Sequence, residues 1–384
     1  MGALKAPPGP EDPLRSTPAD RLLPAAIEAA RRAGVTRLAD LTRLDRIGLP
    51  VWQAVRPMSR ALSVHQGKGA TPEQARLGAL MEAFESDSAE RFDADGPRCS
   101  FAALPAAERA PALEDFARDN QTAPSARAVH RWVAATDLGG GALFVPFDVV
   151  SLDFTRGLPS PFDRSSNGIG AGASRDEAIA VALNEIVERD ALVEWHASGL
   201  AARSLSALDA GTVPFEWFGC WIERLRAAAI TARFYAAPSI TGAPVLACEL
   251  VEPGRRDAPC RATHGFGCHP APEIALFRAL SEAIQSRVTY IAGAREDMPP
   301  SAYASEPAAI RVALALPLPT GGKGIDWRSI TPGPIGLAAT IARLIETGYP
   351  RIALIDIGRC GRIHAVRCFV CGLGGPARRR RPAS

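Results

Sequence analysis

The sequence predicts an α+β fold with mixed or antiparallel sheets, on three observations. Apolar strand-like runs pair off as hairpins between helices instead of alternating with helices one for one. A glycine-rich stretch running into an alanine-rich helix occurs three times. The three copies lie far apart and alternate with dissimilar sequence, unlike a solenoid, whose repeats follow one another directly. Three pseudo-repeated glycine-loop and helix units converging on one site account for that spacing.

Taken in order, residues 1 to about 24 are rich in proline and charge and read as a disordered or extended leader. A short helix is expected from Ala25 to Ala33, stopped by Gly34, and a strand over Val51–Val55. A brief strand, Ala61–Val64, feeds the first glycine loop, whose helix runs from Pro72 to Arg91. A helix follows near Glu108 to Asp119. A hairpin then joins Ala128–Ala135 to Ala142–Phe147 through the glycine cluster at 139–141. Ser174 followed by Glu177 reads as a capping box and starts the second copy's helix, which extends to about His196. A helix over Trp217–Ala229 precedes a second hairpin, Thr231–Ala236 with Pro244–Val251. The third copy occupies Gly265 to about Ile291. Residues 300–330 read as irregular, Pro334–Glu346 as a helix, and Arg351–Ile357 and Ile363–Val370 as strands. The chain divides into an N-terminal segment over 1–55, Pro-rich and partly disordered, a main domain over 56–373, and a basic disordered tail over 374–384.

Composition bounds the function. A chain of 384 residues, 47% hydrophobic and 22% charged, is ordinary for a globular protein. Net charge is +3, so charge points to neither nucleic acid nor membrane as partner. No apolar run is long enough for a bilayer and no signal peptide opens the chain, so the cytoplasm is the expected location. Eight cysteines show no disulfide framework, and the pair Cys368-x2-Cys371 sits in an apolar run, as buried thiols rather than a zinc site. Lysine occurs only at positions 5, 68 and 323, which makes Lys68, inside the first glycine loop, conspicuous.

The copies align on A-x3-A-L-x-E-x2-[E/Q]. Ala75, Ala79, Leu80, Glu82 and Glu85 match Ala178, Ala182, Leu183, Glu185 and Glu188, and these match Ala275, Ala279, Leu280, Glu282 and Gln285. Glutamates three apart on a helix ordinarily mark a solvated face. Here they follow the small, apolar stripe that packs inward: Ala178 and Ala182 precede Glu185, and Ala75 and Ala79 precede Glu82. Converged, the three faces hold five carboxylates and one amide. Buried carboxylates cannot all ionise without a cation. An all-oxygen donor set selects a hard ion, Mg²⁺ rather than Zn²⁺, and Mg²⁺ held by carboxylates keeps company with phosphates. The glycine loops and Lys68 suit phosphate, so the residues point to ATP with Mg²⁺.

Ser63-Val-His-Gln-Gly-Lys-Gly69, Ser165-Ser-Asn-Gly168 through Glu185-Ile-Val-Glu-Arg-Asp190, and Gly265-Phe-Gly-Cys-His-Pro270 through Arg287 resemble the three signature blocks of the YcaO superfamily. The resemblance covers about Arg56 to Leu373 and implies a YcaO-like catalytic domain there. It implies that ATP and Mg²⁺ phosphorylate a peptide-bond oxygen, after which a nucleophile attacks the amide carbon. A neighbouring Cys, Ser or Thr then gives an azoline, and external sulfide a thioamide. It places Mg²⁺ on Glu82, Glu85, Glu185, Glu188, Glu282 and Gln285, with Glu82, Glu185 and Glu188 as the catalytic side chains. It places the nucleotide against Lys68, Ser63, Asn167 and Arg287. His65, His264 and His269 flank the loops as wall residues. The expected partners are a peptide or protein substrate and a TfuA-like protein, or an E1-like or leader-binding protein, with a homodimer left open.

Azoline-forming members commonly end in P-x-P-x-P, whereas this sequence ends Arg378-Arg-Arg-Arg-Pro-Ala-Ser384. The sequence is most similar to the TfuA-associated members, which are linked to thioamide formation, and thioamidation is the expected activity over cyclodehydration. A non-catalytic scaffold that binds a leader peptide is a further reading, although an inactive member would lose metal ligands and this sequence keeps all six positions.

Overall fold

The computed structural model describes residues 6–117, 124–156, 160–252, 261–298, 303 and 324–373. Among these, the strands are β1 (Arg37–Asp40), β2 (Val51–Val55), β3 (Val64–Lys68), β4 (Arg98–Ser100), β5 (Val129–Asp137), β6 (Ala142–Pro146), β7 (Ile169–Gly172), β8 (Thr231–Ala237), β9 (Val245–Glu252), β10 (Arg261–Cys268), β11 (Ile352–Cys360) and β12 (Ile363–Val370). The helices are α1 (Ala19–Arg32), α2 (Pro72–Arg91), α3 (Phe147–Val150), α4 (Arg175–Ala197), α5 (Gly199–Leu205), α6 (Glu216–Ala227), α7 (Pro272–Ala292) and α8 (Leu337–Glu346).

The strands form three antiparallel sheets: β1-β2-β3, β10-β9-β8, and a six-stranded sheet in the order β4-β5-β11-β12-β7 with β6 on β5. This is the predicted α+β class. The strand that precedes each long helix is the edge strand of a different sheet: β3 before α2, β7 before α4 and β10 before α7. Each helix packs on its own strand and also touches the next unit's strand, α2 on β7, α4 on β10 and α7 on β3. Three sheets and three helices thus close into a ring.

The core follows from which helix faces are apolar. Leu80, Met81 and Phe84 of α2 pack under the six-stranded sheet with Trp132, while Ala79 and Ala83 face Ala54 of the first sheet. The buried face of α4 (Ile179, Leu183, Ile186, Val187) lies between β12 and the second sheet. Leu276, Leu280 and Ile284 of α7 pack with Trp221 of α6. Only small residues fit where a helix is pressed between two sheets, which is why alanine recurs at the aligned positions.

Several expectations change. The first helix is Ala19–Arg32, longer than Ala25–Ala33 and continuous through Pro24. The expected helix over Glu108–Asp119 is replaced, as far as residue 117, by 3₁₀ turns at Ala106–Glu108 and Leu113–Phe116, because Pro105 and Pro111 remove the amide donors a helix needs. The strand expected at Ala61–Val64 begins at Val64 and runs through Gly67 to Lys68.

The segment 1–55, expected to be partly disordered, is folded into the molecule from residue 6. Strands β1 and β2 pair with β3, so the expected boundary at 55/56 cuts a sheet. Residues 9–17 cross the starts of all three long helices. Gly9 lies against Ala70 and Phe277. Asp12 meets Arg278 at 3.0 Å and His269 at 3.2 Å. Arg15 and Ser16 bond Glu177 at 2.7 and 3.0 Å. Ser174 Oγ caps α4 by accepting from Glu177 N, and the Glu177 carboxylate, instead of completing the capping box, takes these N-terminal partners. The expected basic tail, 374–384, lies outside the described residues. Both Cys368 and Cys371 are buried.

Candidate functional site

Glycines in β3, β7 and β10 let each helix lie directly on its strand. A Cβ added to Gly67 would stand 2.1 Å from the Ala75 carbonyl oxygen, one on Gly170 2.4 Å from that of Ala178, and one on Gly267 2.3 Å from that of Ala275. No side chain fits at those distances, so the glycines are required for helix–strand approach. The predicted glycine loops are therefore strand segments, and the turn into each helix comes after them.

This contact fixes where the aligned glutamates project. Glu82 Oε2 accepts from Gln66 N of its own strand at 2.9 Å, and Glu185 accepts from the backbone of Gly168 just before β7. The second glutamate of each pair reaches the next unit. Glu85 accepts from the backbone of Ala171 in β7, and Glu188 Oε2 from Cys268 N in β10 at 2.8 Å. The third unit closes on the first through side chains: Lys68 Nζ meets Glu282 Oε2 at 2.9 Å, and the Thr289 hydroxyl donates to Gln66 Oε1. Gln285 sits half-buried one turn beyond Glu282 on α7.

A cavity of about 500 Å³ opens at the centre, with Glu82, Glu85 and Glu185 on its wall and Arg189 beside them. The carboxylates resist ionisation. Burial raises Glu85 well above the usual range, and the neighbouring Glu82 and Glu185 raise it further. Burial, then Glu282, pushes Glu188 up to about 8. Burial pushes Glu185 up to about 6 against the opposing charges of Arg189 and Arg367. Glu82 opens to the cavity but is walled by protein, and it too is raised. Among the described residues no three His, Cys, Asp or Glu side chains stand close enough to cage a bare ion. An open ring of hard oxygen donors that resist ionisation until a cation offsets their charge fits Mg²⁺ carrying phosphate and water ligands better than it fits an all-protein cage. Asn167, half-buried just before Gly168, keeps a buried Oδ1 without a partner, an acceptor still to be satisfied.

Not every predicted residue faces this centre. Ser63 lies just before β3, its amide donating to Glu296 Oε1 at 2.5 Å. Arg287, expected at the nucleotide, is buried and paired with Asp45 at 3.0 Å and Glu252 at 2.6 Å. His65 lines the cavity, and burial, then Arg56, holds it down at about 4, so it is neutral near pH 7. His264 pairs with Glu249 and His269 with Asp12. Arg189 was missed by the sequence reading although it sits four residues after Glu185, in reach of an i,i+4 pair, at 3.4 Å. Phe154 and Arg164, also on the cavity wall, carried no signal at all.

A profile of the family described as YcaO cyclodehydratase, ATP- and Mg²⁺-binding, matches residues 66–374. A protein of Methanothermobacter thermautotrophicus is 32% identical over 355 residues, 88% of this chain and 90% of that protein. A protein encoded in the tfuA 3′ region of Rhizobium leguminosarum bv. trifolii is 35% identical over 283 residues, 71% of this chain and 66% of its own. Among solved structures, YcaO from Methanopyrus kandleri bound with AMPPCP and Mg²⁺ matches with a TM-score of 0.70 at 26% identity, over 93% of this chain and 92% of that one. Among the described residues no helix is long and apolar enough to cross a membrane.

Proposed function

The chain belongs to the YcaO family of ATP-dependent, Mg²⁺-binding enzymes, and on that premise we propose that it activates a peptide backbone amide and that its product is a thioamide. The observation that carries the first half is a group of glutamates with raised proton affinity, of which Glu82, Glu85 and Glu185 line one cavity. Glu82, Glu85, Glu185, Glu188, Glu282 and Gln285 would hold the metal, with Glu82, Glu185 and Glu188 closest to the chemistry. Bound there, Mg²⁺ would neutralise charge on the transferring phosphate. The glutamates must first release their protons, so metal and proton compete at their carboxylate oxygens. Lys68 Nζ, now paired with Glu282, is within reach to turn to a phosphate, and Asn167 Oδ1 and Ser63 border the same strands. Phosphoryl transfer needs positioning and charge neutralisation more than a side-chain nucleophile, and these residues supply both.

The thioamide half rests on the Rhizobium relative encoded beside tfuA, at 35% identity. A TfuA-like protein is then the expected partner, with an E1-like or leader-binding protein as the alternative, and a peptide or protein as substrate. Mass spectrometry of a cognate peptide after reaction with ATP, Mg²⁺ and sulfide tests this. Replacement of oxygen by sulfur adds about 16 Da and requires sulfide, while ring closure by a neighbouring Cys, Ser or Thr loses about 18 Da as water and does not. Loss of water without a sulfide requirement would make the chain a cyclodehydratase and leave the amide activation in place.

A further inference from the structure

The cavity has a second wall that the proposed metal and nucleotide contacts do not use. Leu62 precedes β3, Leu152 and Phe154 follow α3, and Ile169 opens β7. Phe154 stands at the rim, 51% exposed, yet it is fixed. Its amide donates to Arg60 O at 3.1 Å, and the Arg164 guanidinium covers its ring at 4.6 Å from the centroid. Arg164 is itself anchored through Nη2 to the carbonyl of Asp153. Two residues of this wall keep buried polar atoms without partners: the Nε donor of Arg164 and Nε2 of His65. The His65 ring also bonds the backbone of Leu62, which leaves Nε2 of the neutral ring as an acceptor.

We propose that this wall is the peptide subsite, and that it takes an extended segment with an uncharged, apolar side chain beside the amide that reacts. The inference rests on the proposed amide activation and names the substrate class of that site. An extended backbone presents both carbonyl acceptors and amide donors, which is what an unpartnered donor and an unpartnered acceptor on one wall require. The apolar faces of Leu62, Leu152 and Phe154 reward an apolar side chain, whereas a charged one would be desolvated there. A cavity of about 500 Å³ is of the size that seats one small ligand, and this one is continuous with Glu85 and Glu185, so an amide held on the wall lies beside the proposed phosphate site.

The probe is a capped pentapeptide, acetyl-Gly-Gly-X-Gly-Gly-amide, with photo-leucine at X, irradiated with the full chain and Mg²⁺·AMPPCP and mapped by mass spectrometry. Cross-links should fall on the Leu62, Leu152 and Phe154 segments. Competing peptides with X as Val or Leu should suppress them ~10-fold better than peptides with X as Glu or Lys, the discrimination an apolar pocket ordinarily gives. Phe154→Ala should lower the yield ~10-fold and Phe154→Leu should retain most of it, with AMPPCP affinity by calorimetry unchanged within about twofold. Cross-links elsewhere, no cross-links, competition indifferent to X, or loss of nucleotide affinity in Phe154→Ala each overturn the proposal. A chain that binds no Mg²⁺·AMPPCP but still cross-links on this wall would refute the amide activation and leave the subsite standing.

Discussion

Replacing Glu185 by glutamine should stabilise the metal-free protein at pH 8 and do so much less at pH 5. The Glu185 carboxyl is moved from an ordinary 4.5 to about 6 by burial, with Glu282 adding repulsion. Because the folded value lies above the unfolded one, the favourable contribution is present in full below the unfolded value and is lost as pH rises through the folded one. The displacement is ~1.5 pH units, and at ~1.4 kcal/mol per unit the ionised side chain costs the fold about 2 kcal/mol at pH 8. At pH 5 the same two values leave roughly 40% of that. Glutamine keeps the shape and removes the charge. It also relieves Glu85 and Glu188, both of which Glu185 repels. The lost contact with Arg189, 3.4 Å long and half in solvent, weighs little against this. With an unfolding entropy of about 2.1 cal/mol/K per residue, a chain of 384 residues has ~0.8 kcal/mol/K, so about 2 kcal/mol is roughly 2–3 °C in Tm. Thermal melts of both proteins in chelator from pH 5 to pH 8 measure it. Magnesium with AMPPCP should raise Tm more in the wild type than in the variant, and turnover in the variant should be abolished. A variant less stable than wild type at pH 8 in chelator, or one with an unchanged pH slope, would refute the reasoning that these carboxylates are held together against their own repulsion.

Two further outcomes follow from named contacts. Lys68→Met should lower ATP turnover by ~10²-fold, the usual loss for one preorganised charge on a reacting phosphate, while leaving the melting temperature within a degree or two, since the lysine's link to Glu282 is partly exposed. Steady-state phosphate release checks it, and unchanged turnover would remove Lys68 from the site. Gly170→Ala should destabilise by about 1–3 kcal/mol or more, because its Cβ would stand 2.4 Å from the Ala178 carbonyl oxygen and 2.7 Å from Ala182 N, both backbone atoms that cannot swing away. Urea unfolding measures that, and a neutral result would mean α4 rests less closely on β7 than described.

Much of this fold was written locally. The helix Pro72–Arg91 appears with the predicted ends because Pro72 starts it and the Thr71 hydroxyl accepts from Gln74 N at 3.3 Å. The hairpins β5-β6, β8-β9 and β11-β12 appear because alternation and turn residues specify pairing between neighbours in sequence. The six aligned carboxylate and amide positions were legible because one spacing recurs three times on inward-facing helical stripes.

What the sequence could not give is whatever joins distant segments. Strand β10 read as part of a glycine loop, since glycine is a turn residue in isolation and becomes a strand residue only where a helix must touch the backbone. The N-terminal segment read as a free leader, since proline and charge disfavour a core of its own. It is held by Asp12 to Arg278, a pair 266 residues apart, and by Arg15 to Glu177, 162 apart. The ion pairs of Arg287 with Asp45 and Glu252 could not be read from its motif, because the packing of α7 against the first and second sheets sets them. The wall of Leu62, Phe154 and Arg164 has no pattern to read, because three short segments meet there only when the ring of sheets closes. The sequence by itself determined the six aligned carboxylate and amide positions and the spacing that recurs in them, which depend on single helices. Tertiary structure alone decided which strand each second glutamate reaches, and how strongly the carboxylates oppose their own ionisation, because burial and charge proximity exist only in the folded chain.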